Sequence, residues 1–251
     1  MMDYPGLVFA ISLMVLWLAE QLGSYCRRDV KLKTEERADL GVVLGASMTL
    51  LGLLIGFSFS MAISRYNQRK DYEATEANAI GTEYARAGLL PAADATRVRE
   101  LLRSYTEQRI LFHTTRDARQ LQRIDASTAQ LQTDLWSVVQ NRGTAEPTAI
   151  VALTIAGMND VLNSQAYTQA AWWNRIPIAA WVLMASIAIC CNYLFGYTAR
   201  SSGAKAKRWW VLPLIVSIAF LLVADLDSAR GGVIRVHPYS LESVAASLRV
   251  R

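Results

Sequence analysis

Residues 40–64 read LGVVLGASMTLLGLLIGFSFSMAIS, twenty-five consecutive residues without a charge. A helix rises 1.5 Å per residue, and a bilayer core about 30 Å thick needs about 20 apolar helical residues. The stretch is therefore predicted to cross a membrane as a helix. Its small residues are ordered: Gly41, Gly45, Thr49, Gly52, Gly56 and Ser60 recur at steps of four, four, three, four and four, on one helical face. Glycine lets helix backbones approach closely, and serine or threonine can hydrogen-bond across. The stripe reads first as a packing face, with Gly41, Gly45 and Thr49 as packing positions. It reads second as the wall of a narrow pore, with Gly52, Gly56 and Ser60 as lining. Ile55, Phe59 and Ile63 stand at i, i+4 and i+8 on another face. An apolar ring of this kind can gate a pore by dewetting. A lipid-facing stripe has the same spacing. No glycine or proline interrupts residues 57–80, so the helix can run straight out of the bilayer.

Three further stretches approach a span. Residues 7–19, 176–199 and 209–224 carry no charge, the last ending at Asp225. The first is read as a retained anchor. The only earlier charge is Asp3, and no small-x-small cleavage site follows. Trp17, Trp172, Trp173, Trp209 and Trp210 fall near span ends, where aromatic rings favour the membrane interface; ordinary packing is the alternative. The whole chain agrees, with 53% hydrophobic and 19% charged residues over 251 positions and a mean hydropathy of +0.19. An average soluble domain carries about 25% charge. The expected fold is an all-α integral membrane protein. Transmembrane helices 1 and 2 lie in residues 1–64, a helical soluble domain in 65–175, and helices 3 and 4 in 176–228. A C-terminal tail occupies 229–251.

The inserted segment holds thirteen basic and twelve acidic residues, so it is not a nucleic-acid binder. Its periodicity is helical. Leu121, Ile124, Thr128, Leu131, Leu135 and Val138 step by three and four, a coiled-coil-like seam. Val98, Leu101, Leu102 and Tyr105 form a second stripe, and Val151, Ile155, Met158 and Leu162 a third. Intramolecular packing is favoured for these over subunit contacts. Pro91 and Asp94 mark a helix restart. Asn141-Arg142-Gly143 is expected to end the middle helix, and Pro147 to open the next.

The net charge of +5 is concentrated in Arg200, Lys205, Lys207 and Arg208, between the last two spans. Such a cluster fixes orientation or meets anionic headgroups. The two short connections together hold nine basic residues. The opposite flanks hold six: Arg65, Arg69, Lys70, Arg175, Arg230 and Arg235. That count leans towards a soluble domain outside the cytoplasm.

Chemistry-bearing constellations are few. Three cysteines and two histidines give no metal set, and no nucleophile elbow, P-loop, zinc helix or dinucleotide fingerprint occurs. No enzyme, cofactor or metal site is expected. Cys190-Cys191 reads as apolar filling within the third span. Asp225 and Asp227 end the fourth span, where carboxylates are costly unless paired or wet and often mark an ion route. Pairing with Arg230, Arg65 or Arg175 is the favoured reading.

Residues 52–91, GLLIGFSFSMAISRYNQRKDYEATEANAIGTEYARAGLLP, resemble the bacterial bestrophin-like membrane family, a domain of unknown function remotely related to the bestrophin ion channels. The most specific piece is Glu76-Ala77-Asn78-Ala79-Ile80-Gly81-Thr82, followed by Tyr84, Arg86 and Leu89-Leu90-Pro91. Two more pieces match: Asn174-Arg175-Ile176-Pro177, and Asp225-Leu226-Asp227 leading to Arg230-Gly231 and Ile234-Arg235-Val236. The resemblance covers nearly the whole chain. It implies a homo-oligomeric, five-fold ion channel in the bacterial inner membrane, with inorganic ions and the lipid bilayer as partners. It implies a pore neck of apolar residues one turn apart on the second membrane helix, for which Ile55, Phe59 and Ile63 are candidates. It also implies a cytoplasmic soluble domain, against the basic-residue count. Animal bestrophins carry an acidic calcium clasp after the fourth helix, whereas here only Asp225 and Asp227 stand there. The competing reading is a non-conducting membrane scaffold whose soluble helices bind a partner.

Overall fold

The computed structural model describes residues 4–27, 33–198 and 210–250. The basic cluster Arg200, Lys205, Lys207 and Arg208, residues 28–32 of the first connection, and Trp209 lie outside the described residues. Among the described residues eight helices follow one another: α1 (Pro5–Cys26), α2 (Thr34–Ala87), α3 (Ala92–Thr114), α4 (Ala118–Ala145), α5 (Ala149–Trp173), α6 (Ile178–Thr198), α7 (Val211–Asp227) and α8 (Tyr239–Val250). No strand occurs among the described residues. The chain forms two compact units, Met1–Tyr66 with Arg175–Arg235, and Asn67–Asn174 with Val236–Arg251.

Among the described residues three helical stretches are long and apolar enough to cross a membrane: Pro5–Cys26, Thr34–Ala87, and Ala149–Thr198, which takes in α5 and α6. At 17 residues, α7 is about 26 Å long, just short of a typical core. α2 runs unbroken for 54 residues, as expected of a segment without glycine or proline between 57 and 80.

In the first unit, the inward seam of α2 is Leu44, Met48, Leu51, Ile55, Ser58 and Ala62, at steps of four and three, with Leu51, Ser58 and Ala62 buried and the other three half-buried. Its upper part packs with Leu16 of α1, Met184, Ala188 and Cys191 of α6, and Val216 and Phe220 of α7. Ala62 joins Ile176, Val223 and Leu226. The Ser58 hydroxyl donates to the Met184 sulfur at 3.1 Å. Cys191 is buried as filling, while Cys190 is exposed. α1 and α6 approach most closely at two isolated glycines. A Cβ on Gly23 would run into the Tyr193 carbonyl, and one on Gly196 into the Glu20 carbonyl. Trp17 stacks on Trp210, ring centroids 5.3 Å apart.

The second unit joins the rest of α2 to α3, α4, α5 and α8. Ile80, Tyr84, Leu102, Tyr105, Leu135, Met158, Val161 and Leu241 fill its core. All four residues of the Val98–Tyr105 stripe are buried. In the α4 seam Ile124, Thr128 and Leu135 are buried. Asp117 caps α4 by accepting from the Arg119 amide, and Thr148 caps α5 by accepting from Val151. α4 passes through Asn141-Arg142-Gly143 and ends two residues later. Gly143 is not a terminator. A Cβ there would stand 2.7 Å from Ile155 Cδ1, so its bareness admits the α5 side chain. Trp172 is a packing residue, its ring 5.3 Å from Phe112 and 5.2 Å from His113. Trp173 is exposed. Within 229–251, expected as a tail, α8 buries Leu241 and Leu248.

Candidate functional site

The outward face of α2 carries the small residues. Gly41, Gly45, Thr49, Gly52, Gly56 and Ser60 are all exposed. A Cβ on any of the four glycines would meet nothing within 4 Å. Among the described residues, these glycines therefore pack against nothing in their own chain. The three neck candidates do not share one environment. Ile55 is half-buried against the α6–α7 cluster, while Phe59 and Ile63 are each 37% exposed. The geometry follows from helical phase. Stepping by four from a seam residue drifts by about 40° per step, so Phe59 and Ile63 leave the seam for the stripe's border.

The motif on the lower part of α2 divides by face. Arg69, Glu73, Glu76, Ile80, Glu83 and Ala87 are all buried, at steps of four and three. Three carboxylates thus occupy core positions, a costly choice unless each is matched. Glu73 accepts from the Leu241 amide at 2.8 Å and so holds the start of α8. Glu76 accepts from Arg109 Nε at 2.5 Å and from the Thr168 hydroxyl at 2.8 Å. Both members of this ion pair are wholly buried. Burial works against the Arg109 charge, but Glu76, Tyr105 and Asp125 together outweigh it and hold the guanidinium's pKa above its ordinary value. The ring of Phe112 lies 4.5 Å beneath the guanidinium. Burial, with Glu76 beside it, pushes the Tyr105 phenol up. Glu83 is fully buried with no hydrogen bond to either oxygen.

Of the remaining motif residues, Ala77, Tyr84 and Leu90 are also buried, and three others face a cleft. Asn78, Thr82 and Arg86 line a cleft of about 480 Å³ between α2 and α5. Gly81 turns towards α8, where a Cβ would lie 3.8 Å from Val244 Cγ2, an ordinary contact.

Asp225 and Asp227 organise the chain after α7. Asp227 Oδ1 accepts from the Ile176 amide at 3.0 Å and lies 3.6 Å from Arg65 Nη1. Arg65, one of the partners expected, is thus paired with it. Asp225 spends its two oxygens on consecutive backbone amides, those of Val233 and Ile234, each at 2.8 Å. A Cβ on Gly232 would stand 2.7 Å from Asp225 Oδ1, so only glycine fits that close approach. Ser228 accepts from the Gly231 amide, and Arg235 Nε donates to the Gly232 carbonyl. Arg230 is half-buried in the same loop. Among the described residues no group of three or more His, Cys, Asp or Glu is placed to hold a metal ion.

Reading along the sequence did not find Arg109, Thr168, Glu73 or Glu83. The signal was present: carboxylates at 73, 76 and 83 recur with the three-four period that elsewhere marks core positions.

The comparisons with known proteins agree on one architecture. A mutant of a bacterial bestrophin homologue from Klebsiella pneumoniae matches with a TM-score of 0.62 at 14% identity, over 96% of this chain and 95% of that one. A second mutant of that homologue gives 0.64 at 14%, over 96% and 97%. Another solved structure, described as a membrane protein, gives 0.65 at 13%, over 95% and 96%. These likenesses establish the fold. No curated protein sequence matches the chain. The sequence profile of the Bestrophin-like domain matches residues 6–241, and with its apolar helices long enough to span a bilayer, the chain is a membrane protein of the bestrophin-like family.

Proposed function

We propose that this protein is the subunit of a homo-oligomeric ion channel, five-fold in symmetry, whose pore is lined by α2. The observation that carries the reading is the bare small-residue face of α2. Four glycines that contact nothing among the described residues of their own chain form a surface suited to closely packed copies around a narrow axis. Membership of the bestrophin-like family and the fold shared with bacterial bestrophin homologues support it. In this reading α1, residues 40–64, α6 and α7 span the bacterial inner membrane. Residues 65–175 form the inserted helical domain on the cytoplasmic side. Gly52, Gly56 and Ser60 line the pore, with Phe59 and Ile63 narrowing it and Ile55 behind them. Gly41, Gly45 and Thr49 pack neighbouring subunits.

Purified protein in liposomes is expected to pass inorganic ions, and Phe59→Ala or Ile63→Ala to change the current. A folded oligomer that carries none at any voltage or pH overturns the proposal and leaves a membrane scaffold. Cross-linking that stops at five subunits supports the ring, and a dimer opposes it. The paired Asp225 and Asp227 act in this reading as braces for the loop after α7. Both oxygens of Asp225 are already engaged by backbone amides, which argues against a calcium clasp at that carboxylate.

A further inference from the structure

Among the core carboxylates of α2, Glu73 holds a helix start and Glu76 holds Arg109, but Glu83 has no such counterpart. It is 0% exposed and neither oxygen makes a hydrogen bond. An ionised carboxylate in that state would carry a large desolvation cost, so neutrality is the physical escape. Its surroundings are built around the carboxyl group. Gly157 of α5 packs directly on it, and a Cβ at that position would collide with both Glu83 Oε2 and Arg86 Nη1. Gly157, Arg86 and Asp160 also line the polar cleft between α2 and α5. Glu83 thus lies just behind the wall of a space open to solvent. The charged groups that bear on it are Arg86, one turn along the same helix, and Asp160 from α5. The Glu76–Arg109 pair, two turns back, is internally neutral.

We propose that Glu83 is a proton-binding site that latches α2 to α5. With its proton, it packs as a neutral group against Gly157. When the proton leaves to water in the cleft, the new carboxylate draws Arg86 onto itself over Gly157 and loosens α5 along the cleft. Burial raises the Glu83 pKa from 4.5 to about 8, with Arg86 lowering it and Asp160 raising it. Because the folded value lies above the unfolded one, the stability that neutral burial contributes is fully present below pH 4.5. It is lost as pH rises through about 8. The inference does not depend on conduction.

The test uses the full chain in lipid nanodiscs. Infrared difference spectra should show a protonated-carboxyl band that disappears on titration through about pH 8. Hydrogen exchange of the α5 amides facing the cleft should rise with the same midpoint. Glu83→Gln, close in shape to the protonated form, should lack that band and keep α5 slow to exchange at all these pH values. Asp160→Asn should move the midpoint down and Arg86→Gln should move it up. A band unchanged by Glu83→Gln, an α5 exchange profile shared by wild type and Glu83→Gln, or midpoint shifts of the opposite sign would each overturn the proposal. The two neighbour variants keep the test decisive even where Glu83→Gln fails to fold.

Discussion

At Gly23 and Gly196 an added methyl group would run into the backbone carbonyl of the facing helix, whereas at Gly41, Gly45, Gly52 and Gly56 it would meet nothing within 4 Å. The residue type is the same and so is the compact unit. The first pair lets α1 and α6 touch and is spent inside the chain. The second set lies on a helix whose opposite side is packed, and it is left for something outside. The difference teaches that a regular stripe of small residues states that close approach is wanted, but not by whom. If the cost of a substitution follows the neighbours that the chain itself supplies, the variants below should rank accordingly.

The largest effect is expected where every neighbour is internal and charged. Arg109→Met strands the buried Glu76 carboxylate and should cost about 3–5 kcal/mol, read by denaturant or thermal unfolding in detergent. An unchanged transition would show that the pair is not desolvated as the structure has it. Next comes Gly196→Ala, which forces α1 from α6 at a cost of about 1–3 kcal/mol. It should lower the melting temperature and the yield of monodisperse protein. Asp225→Asn replaces one of two acceptor oxygens opposite the Val233 and Ile234 amides, and should cost about 1 kcal/mol. Faster amide exchange confined to 228–236 would report it. The smallest effect on stability is expected for Gly52→Ala and Gly56→Ala, within about 0.5 kcal/mol. Yet these should alter the cross-linked ladder or the current more than Gly196→Ala does in the protein that still folds. Should both sets of glycines behave alike in both assays, the distinction between inward and outward use fails.

Much of the helical organisation was legible because period and punctuation act locally. The uninterrupted run from 57 to 80 became one helix, Pro91 stands at a helix start, Pro147 lies one residue before the cap of α5, and Val98, Leu101, Leu102 and Tyr105 are all buried. Where the reading went astray, a distant partner had decided. Gly143 looks like a stop signal, but Ile155 makes it a contact point inside α4. Glu76 belongs to a recognisable motif, but its partner lies 33 residues away on α3 and a further donor 92 away on α5. Spacing within a single stretch could not connect them. Gly23 and Gly196 were passed over because neither belongs to a repeat. The cost of filling each is set by a carbonyl on another helix.

The tether between Glu73 and α8 bears on how the protein can be handled. The Leu241 amide, at 2.8 Å, engages a carboxylate that has no access to water, and the Leu248 carbonyl takes Arg103 Nε at 2.9 Å. Removing α8 would therefore take a partner from a buried anion and from a half-buried cation at once, in the body that α8 helps to close. An affinity handle or fluorescent fusion that replaces α8 is expected to loosen that body.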